Sequence, residues 1–117
     1  LEKTYIRGNK EEIRQLFWNL FVNAKEAMPN GGMLKVIMER EQNMIKIMVQ
    51  DTGRGIPKEI QDRIFEPFFT TKPQGSGLGL AIVHKIVNEH EGNIEVENQP
   101  KKGASINLYF PLVSSSH

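Results

Sequence analysis

The chain contains no cysteine, so neither a disulfide framework nor a thiolate metal site is open to it, and a reducing compartment is the natural expectation. It also lacks charge of one sign. Its 15 basic and 14 acidic residues leave a formal charge of +1, so no strong field draws nucleic acid or an anionic membrane. No apolar run approaches the roughly 20 residues that span a bilayer, and the first residues do not read as a signal peptide. The expectation is a cytoplasmic domain that touches neither nucleic acid nor membrane itself. Leu1 is not an initiating residue, so a longer parent protein is expected, with its membrane attachment left open. No internal repeat occurs. Low complexity is confined to the end, where residues 114–117 are expected to be a disordered tail after one domain over residues 1–113. A chain of 117 residues can bury a core without covalent staples.

What is present is a regular alternation of patterns. A short strand is expected over residues 3–7. Asn9 then has the character of an N-cap, with Glu11 and Glu12 in the first turn, where a helix favours carboxylates. Ile13, Leu16, Phe17, Leu20, Ala24 and Ala27 recur within a stripe of about 100°, which predicts a helix reaching about Met28. Two strands follow, over 33–40 and 44–50, joined by a hairpin turn at 41–43. In the second, Ile45, Ile47 and Val49 alternate with polar partners, so one face should be buried and the other wetter. Pro57 suits the first turn of a short helix to about Phe65. Pro67, Pro73 and Gly75 make 66–76 a loop. A second long helix is predicted over 78–91, closed by Gly92, and two alternating strands over 93–97 and 104–110 complete the chain. The fold class is α+β: a two-layer sandwich with a mixed, mostly antiparallel sheet of about five strands on about three helices.

Four short motifs carry chemistry on this frame. Asn19 and Asn23 stand one helical turn apart, about 40° around the axis, on the polar edge of the apolar stripe. Their carboxamide oxygens suit a hard cation such as Mg²⁺, although plain boundary asparagines would look the same. Asp51-x-Gly53-x-Gly55 leaves a strand through a turn. A buried carboxylate there can accept a hydrogen bond from the exocyclic amine of adenine, and the glycines allow close approach of a flat base; an ordinary turn carboxylate is the alternative. Phe65, Phe68 and Phe69 surround Pro67, and aromatics at the foot of a loop are expected to anchor it in the core. Gly75-x-Gly77-x-Gly79 enters a helix whose free amides form an anion site. It does not follow a strand, which argues against a dinucleotide fold, and no Gly-Lys-Ser/Thr triplet is present for a P-loop.

Taken in this order, the residues resemble the ATP-binding catalytic domain of sensor histidine kinases, in the superfamily shared with gyrase, HSP90 and MutL, and thus a Bergerat-type sandwich. Asn19 to Asn23 is similar to the N box, Asp51 to Gly55 to the G1 box, Phe65 to Phe68 to the F box and Gly75 to Gly79 to the G2 box. Gly103 begins the last strand where the family often has Gly-Thr. The resemblance implies ATP and Mg²⁺ as cofactors. It makes Asn23 the metal ligand and Asn19 its support, both in the catalytic role, with Asp51 as the reader of adenine. Gly53, Gly55, Ile56, Phe68, Thr71, Lys72, Gly75, Ser76, Gly77, Leu78, Gly79 and Leu80 complete the expected nucleotide contacts.

The chain departs from the pattern at Glu26, where many members carry a phosphate-binding lysine. Lys25 points about 200° away from Asn23, which leaves Lys72 or Arg54 as the cation. Asn19 stands where the hydrolysing branch has a glutamate, and a carboxamide is no general base, so kinase chemistry is expected over hydrolysis. The phosphoacceptor histidine belongs, by the resemblance, to an upstream dimerisation domain, with a response regulator as indirect partner and the isolated chain a monomer. His90 falls on an apolar stripe and is expected to be structural, while His84 should be exposed. A nucleotide-binding regulatory module without catalysis, or an anti-sigma-type serine kinase, is the alternative.

Overall fold

The computed structural model describes residues 8–69, 78–99 and 103–112. Helix α1 (Lys10–Ala27) starts at Asn9, whose side chain accepts the Glu12 N–H at 3.1 Å, with Glu11 and Glu12 in the first turn. Such a cap contributes about 1 kcal/mol by satisfying one of the free amides of the first turn. After α1 the chain forms a hairpin of β1 (Leu34–Glu41) and β2 (Met44–Asp51), turning at Gln42 with φ 51°. Helix α2 (Gly79–Glu89) leads to a second hairpin, β3 (Asn93–Gln99) and β4 (Gly103–Pro111).

The four described strands lie in the order β1-β2-β4-β3, and every neighbouring pair is antiparallel. The parallel component of the expected mixed sheet is absent among the described residues, and the strand expected over 3–7 lies outside them, as does the expected tail. Register places Ile45, Ile47 and Val49 opposite Phe110, Leu108 and Ile106. These six pack with Leu16 and Leu20 of α1 and with Val83, Ile86 and Val87 of α2. Removing each of these side chains from water contributes about 1.5–3 kcal/mol, which makes this layer the main source of stability.

Three local expectations need correction. The helix expected from Pro57 to Phe65 is a single 3₁₀ turn at Lys58–Ile60, followed by further three-residue turns such as Arg63 N–H to Ile60 O at 2.9 Å. A segment this short does not offset the cost of nucleating an α-helix, and Pro67 bars its extension. At the end of α2 Gly92 does close the helix, its N–H donating to the Val87 carbonyl at 2.9 Å, but the left-handed residue is Glu91, φ 59°. Gly92 is needed for another reason: a Cβ there would stand 2.4 Å from the Tyr109 carbonyl oxygen. The far face of the sheet is not uniformly wet either. Ser105 and Asn107 are fully buried, because β4 is an inner strand and Asn107 lies between Met48 of β2 and Glu95 of β3. Ser105 Oγ donates to Asn107 Oδ1 at 2.7 Å, which satisfies part of the pair.

His90 is half-buried and ties the two helices together. Its Nε2 accepts the Asn9 N–H at 3.0 Å, and Nδ1–H donates to the Ile86 carbonyl at 2.8 Å. Its ring also meets Phe110 edge-on at 6.3 Å. The C-terminus of α2 is thereby fastened to the start of α1. An 11-residue helix is about 16 Å long. Packed along α1, it runs back toward the stretch that carries Asn19 and Asn23.

Candidate functional site

Asp51 is the last residue of β2 and is only 8% exposed. Its Oδ1 accepts two backbone N–H groups, from Gly53 at 2.9 Å and from Ala104 at 3.3 Å. Its Oδ2 has no hydrogen-bond partner among the described residues. The carboxylate is thus oriented through one oxygen while the other remains available, which suits it to receive an amine from outside the protein.

The turn after Asp51 is pressed against its surroundings. A Cβ on Gly53 would lie 2.2 Å from the Ala27 carbonyl oxygen, so this glycine permits contact with the end of α1. Gly103, at φ +93°, lies so close to Asp51 that a Cβ would stand 1.9 Å from its carbonyl oxygen. Gly55, at φ +77°, abuts the Asn98 side chain, whose Oδ1 accepts the Ile56 N–H at 2.9 Å. Thr52 Oγ1 accepts the Met33 N–H at 2.9 Å, which anchors the start of β1 to the same corner.

On α1, Asn19 and Asn23 are both half-buried, whereas Glu26 and Lys25 are exposed. The Asn19 carboxamide nitrogen is buried and has no hydrogen-bond partner among the described residues. An orphaned donor in such a place is costly, on the order of 1–3 kcal/mol, and marks a position that an acceptor oxygen would relieve. At the other wall, α2 begins at Gly79 with Leu78 in the N-cap position. Among the described residues no side chain caps it, and no acidic residue lies in its first turn. An anion brought to this helix end would meet no competing carboxylate from the first turn. Leu80 is half-buried against the core, and nothing among the described residues lies within 4 Å of a Cβ built on Gly79.

The aromatic segment departs from expectation. Phe65 is half-buried and stacks on His84, ring centroids 5.4 Å apart, so His84 is less exposed than its place on the helix suggested. The Arg63 guanidinium lies 4.6 Å from the Phe69 ring centroid. Phe68 is not an anchor. It is 74% exposed, at a positive φ of 68°. Thr71, Lys72, Gly75, Ser76 and Gly77 lie outside the described residues. Arg54, the other expected cation, is exposed. Missing from the sequence reading were Asn98 and the supporting roles of Gly103 and the Ala104 amide. Asn98 had a visible signal: it continues the parity of Ile94 and Val96, placing an amide where the strand pattern calls for an aliphatic residue.

This combination of an oriented buried carboxylate, an asparagine edge and an uncapped helix end on an α/β sandwich defines an ATPase-type nucleotide fold. The chain belongs to the histidine kinase-, DNA gyrase B- and HSP90-like ATPase family, whose model matches residues 8–114. It is 40% identical to sporulation kinase A of Bacillus subtilis (strain 168) over 110 residues, covering 94% of this chain and 18% of that protein. It is also 40% identical to the sensor histidine kinase ZraS of Escherichia coli (strain K12), covering 92% of this chain and 23% of that protein. Among solved structures, the mycobacterial sensor histidine kinase MprB superimposes with a TM-score of 0.86 at 30% identity, covering 93% of this chain and 76% of that one. The nucleotide-free catalytic domain of histidine kinase ThkA gives 0.81 at 37% identity, covering 91% and 70%. The chain spans about a fifth of the length of the curated relatives it matches. Its class is therefore the histidine kinase catalytic type of this ATPase family.

Proposed function

We propose that this domain binds Mg-ATP and donates the γ-phosphate to a histidine on a separate upstream dimerisation domain, as the first step of two-component signalling. The observation that carries the reading is Asp51, held by the Gly53 and Ala104 amides through Oδ1 with Oδ2 left over for adenine. Gly53, Gly55 and Ile56 would form the wall along the base. Asn23 would ligate Mg²⁺ through its carboxamide oxygen. The buried, unpartnered nitrogen of Asn19 would meet an acceptor oxygen beside it. The first amides of α2, at Gly79 and Leu80 after Leu78, would take phosphate, with Gly75, Ser76 and Gly77 in the preceding turn. Thr71, Lys72 and Phe68 belong to the same proposed set, Lys72 as counter-charge.

These residues fit the nucleotide and the cation: the donors are neutral amides and backbone N–H groups, and oxygen ligands suit Mg²⁺. When bound, Mg²⁺ supplies charge neutralisation between phosphates. The contribution of the chain itself is to orient and to desolvate, since phosphoryl transfer asks for little covalent chemistry from the protein. Asn19 holds no proton-accepting group, so attack by water is not promoted and the phosphoryl group is kept for the protein acceptor. Response-regulator phosphorylation follows indirectly through that acceptor, and the isolated domain is proposed to be a cytoplasmic monomer.

A thermal melt with Mg-ATP, Mg-ADP and Mg-GTP, alongside Asp51→Asn, tests this reading. At a hundred times Kd the ligand adds about 2.7 kcal/mol, which corresponds to roughly 10 °C for a domain of this size. The shift is expected with adenine nucleotides only and is lost in the variant. No shift with any nucleotide at millimolar concentration would leave a module without kinase function. Mixing with the upstream helical domain of a relative and labelling from ATP then identifies the acceptor: phosphohistidine is acid-labile, phosphoserine is not.

A further inference from the structure

The Ile56 peptide groups are gripped from two sides, by one side chain distant in sequence and one five residues on. Its N–H donates to Asn98 Oδ1 at 2.9 Å, from 42 residues away, and its carbonyl accepts the Gln61 Nε2 donor at 3.1 Å. Gly55, the residue before, is at φ +77°, and a Cβ on it would lie 2.4 Å from the same Asn98 oxygen. Asn98 is also the register partner of Ala104, whose N–H holds Asp51. Both ends of the turn, Asp51 and Ile56, are thus referenced to one pair of residues at the end of the β3–β4 hairpin.

We propose that Asn98 and Gln61 are positioning residues that clamp Ile56 and preset the base-side wall of the nucleotide site. The inference rests on the nucleotide reading above. Free backbone between Asp51 and Pro57 would otherwise sample several arrangements, and selecting one on binding lowers affinity. Both bonds are open to solvent or only partly buried. Water can replace them in the free protein, so their loss falls on ligand affinity more than on folding.

Two substitutions with the same change of charge separate this role from electrostatics. N98D keeps an acceptor oxygen at the Ile56 N–H, whereas Q61E removes the donor to the Ile56 carbonyl; N98A removes the acceptor without adding charge. Calorimetric titration of the 117-residue chain with Mg-ATP and Mg-GTP, together with melts of the free proteins, reads the outcome. The expected result is N98D within about threefold of wild type and Q61E and N98A about tenfold weaker for ATP. The preference for ATP over GTP should narrow in the two weak variants, and the free proteins should melt within about 3 °C of wild type. Equal weakening of N98D and Q61E would assign the effect to charge and overturn the clamp. So would wild-type affinity in N98A, or a lowered melting point with unchanged affinity, the mark of a purely structural role. A wild-type chain that binds neither nucleotide overturns the nucleotide reading itself and the clamp with it.

Discussion

Gly103→Ala probes the corner that holds Asp51. Two penalties add. At φ +93° the residue lies where a side chain is strained, at roughly 1–2 kcal/mol. The new Cβ would also stand 1.9 Å from the Asp51 carbonyl oxygen and 2.8 Å from its Oδ1. The first of these is backbone of β2 paired with Leu34 of β1, so it cannot swing aside, and such overpacking costs about 1–3 kcal/mol. The sum is about 2–5 kcal/mol. With about 2.1 cal/mol/K of unfolding entropy per residue, a chain of 117 residues loses about 4 °C per kcal/mol, so Tm should fall by about 8–20 °C. Gly31→Ala is the matched control: its φ is +90°, yet nothing among the described residues lies within 4 Å of the added methyl. Only the conformational penalty applies there, a fall of about 4–8 °C. Melts of both variants followed by circular dichroism give the comparison. If Gly103→Ala melts within about 2 °C of Gly31→Ala, the close contact with Asp51 contributes nothing and the account of this corner is wrong.

Gly79→Ala should act in opposite directions on fold and ligand. The site is the first residue of α2 and has open space around it among the described residues, so alanine should raise Tm by about 2–4 °C through the lower entropy of the unfolded chain. The Mg-ATP-induced shift should shrink, and an undiminished shift would remove this helix end from the binding site. Leu20→Ala deletes a side chain that is 1% exposed in the core. A loss of about 2–5 kcal/mol in urea unfolding is expected, and less than about 1 kcal/mol would contradict the packing described. The Lys46 ammonium lies 5.6 Å from the Tyr109 ring centroid, and its pKa is raised, first by that neighbour. A raised folded-state value means that the contact stabilises fully below the ordinary lysine pKa of 10.5 and that this is lost as pH rises through the higher value. The melting difference between wild type and Lys46→Met should therefore shrink from about pH 9 to about pH 12; a constant difference would count against the contact. Finally, steady-state ATP hydrolysis by the wild-type chain should be slow, because Asn19 cannot act as a base; turnover near the ordinary enzymatic median of about 10 per second would contradict that assignment.

Local periodicity was enough to place both long helices and both hairpins within a few residues, because the apolar stripe of α1 and the alternation in β2 are properties of neighbouring residues. It failed where local preference was weak. The segment after Pro57 was too short for a helix, and the left-handed position after α2 falls on Glu91, while Gly92 makes the close contact with β4. Phe68 illustrates the same limit. Its aromatic ring argued for burial, and it stands exposed at a positive φ.

By itself the sequence determined the kind of elements, their order, and the residue types suited to a nucleotide: the asparagine pair, Asp51 and its glycines, and the glycine-led helix. Those signals lie within a few positions of one another, where backbone preference and side-chain chemistry act directly. Tertiary structure alone decided the strand order β1-β2-β4-β3, the burial of Ser105 and Asn107, and the meeting of Asp51 with Ala104 and of Ile56 with Asn98. Those partners are 53 and 42 residues apart. Only the packing of the whole sheet against its helices brings such distant residues within hydrogen-bonding range, because that packing sets the strand neighbours that no local pattern specifies.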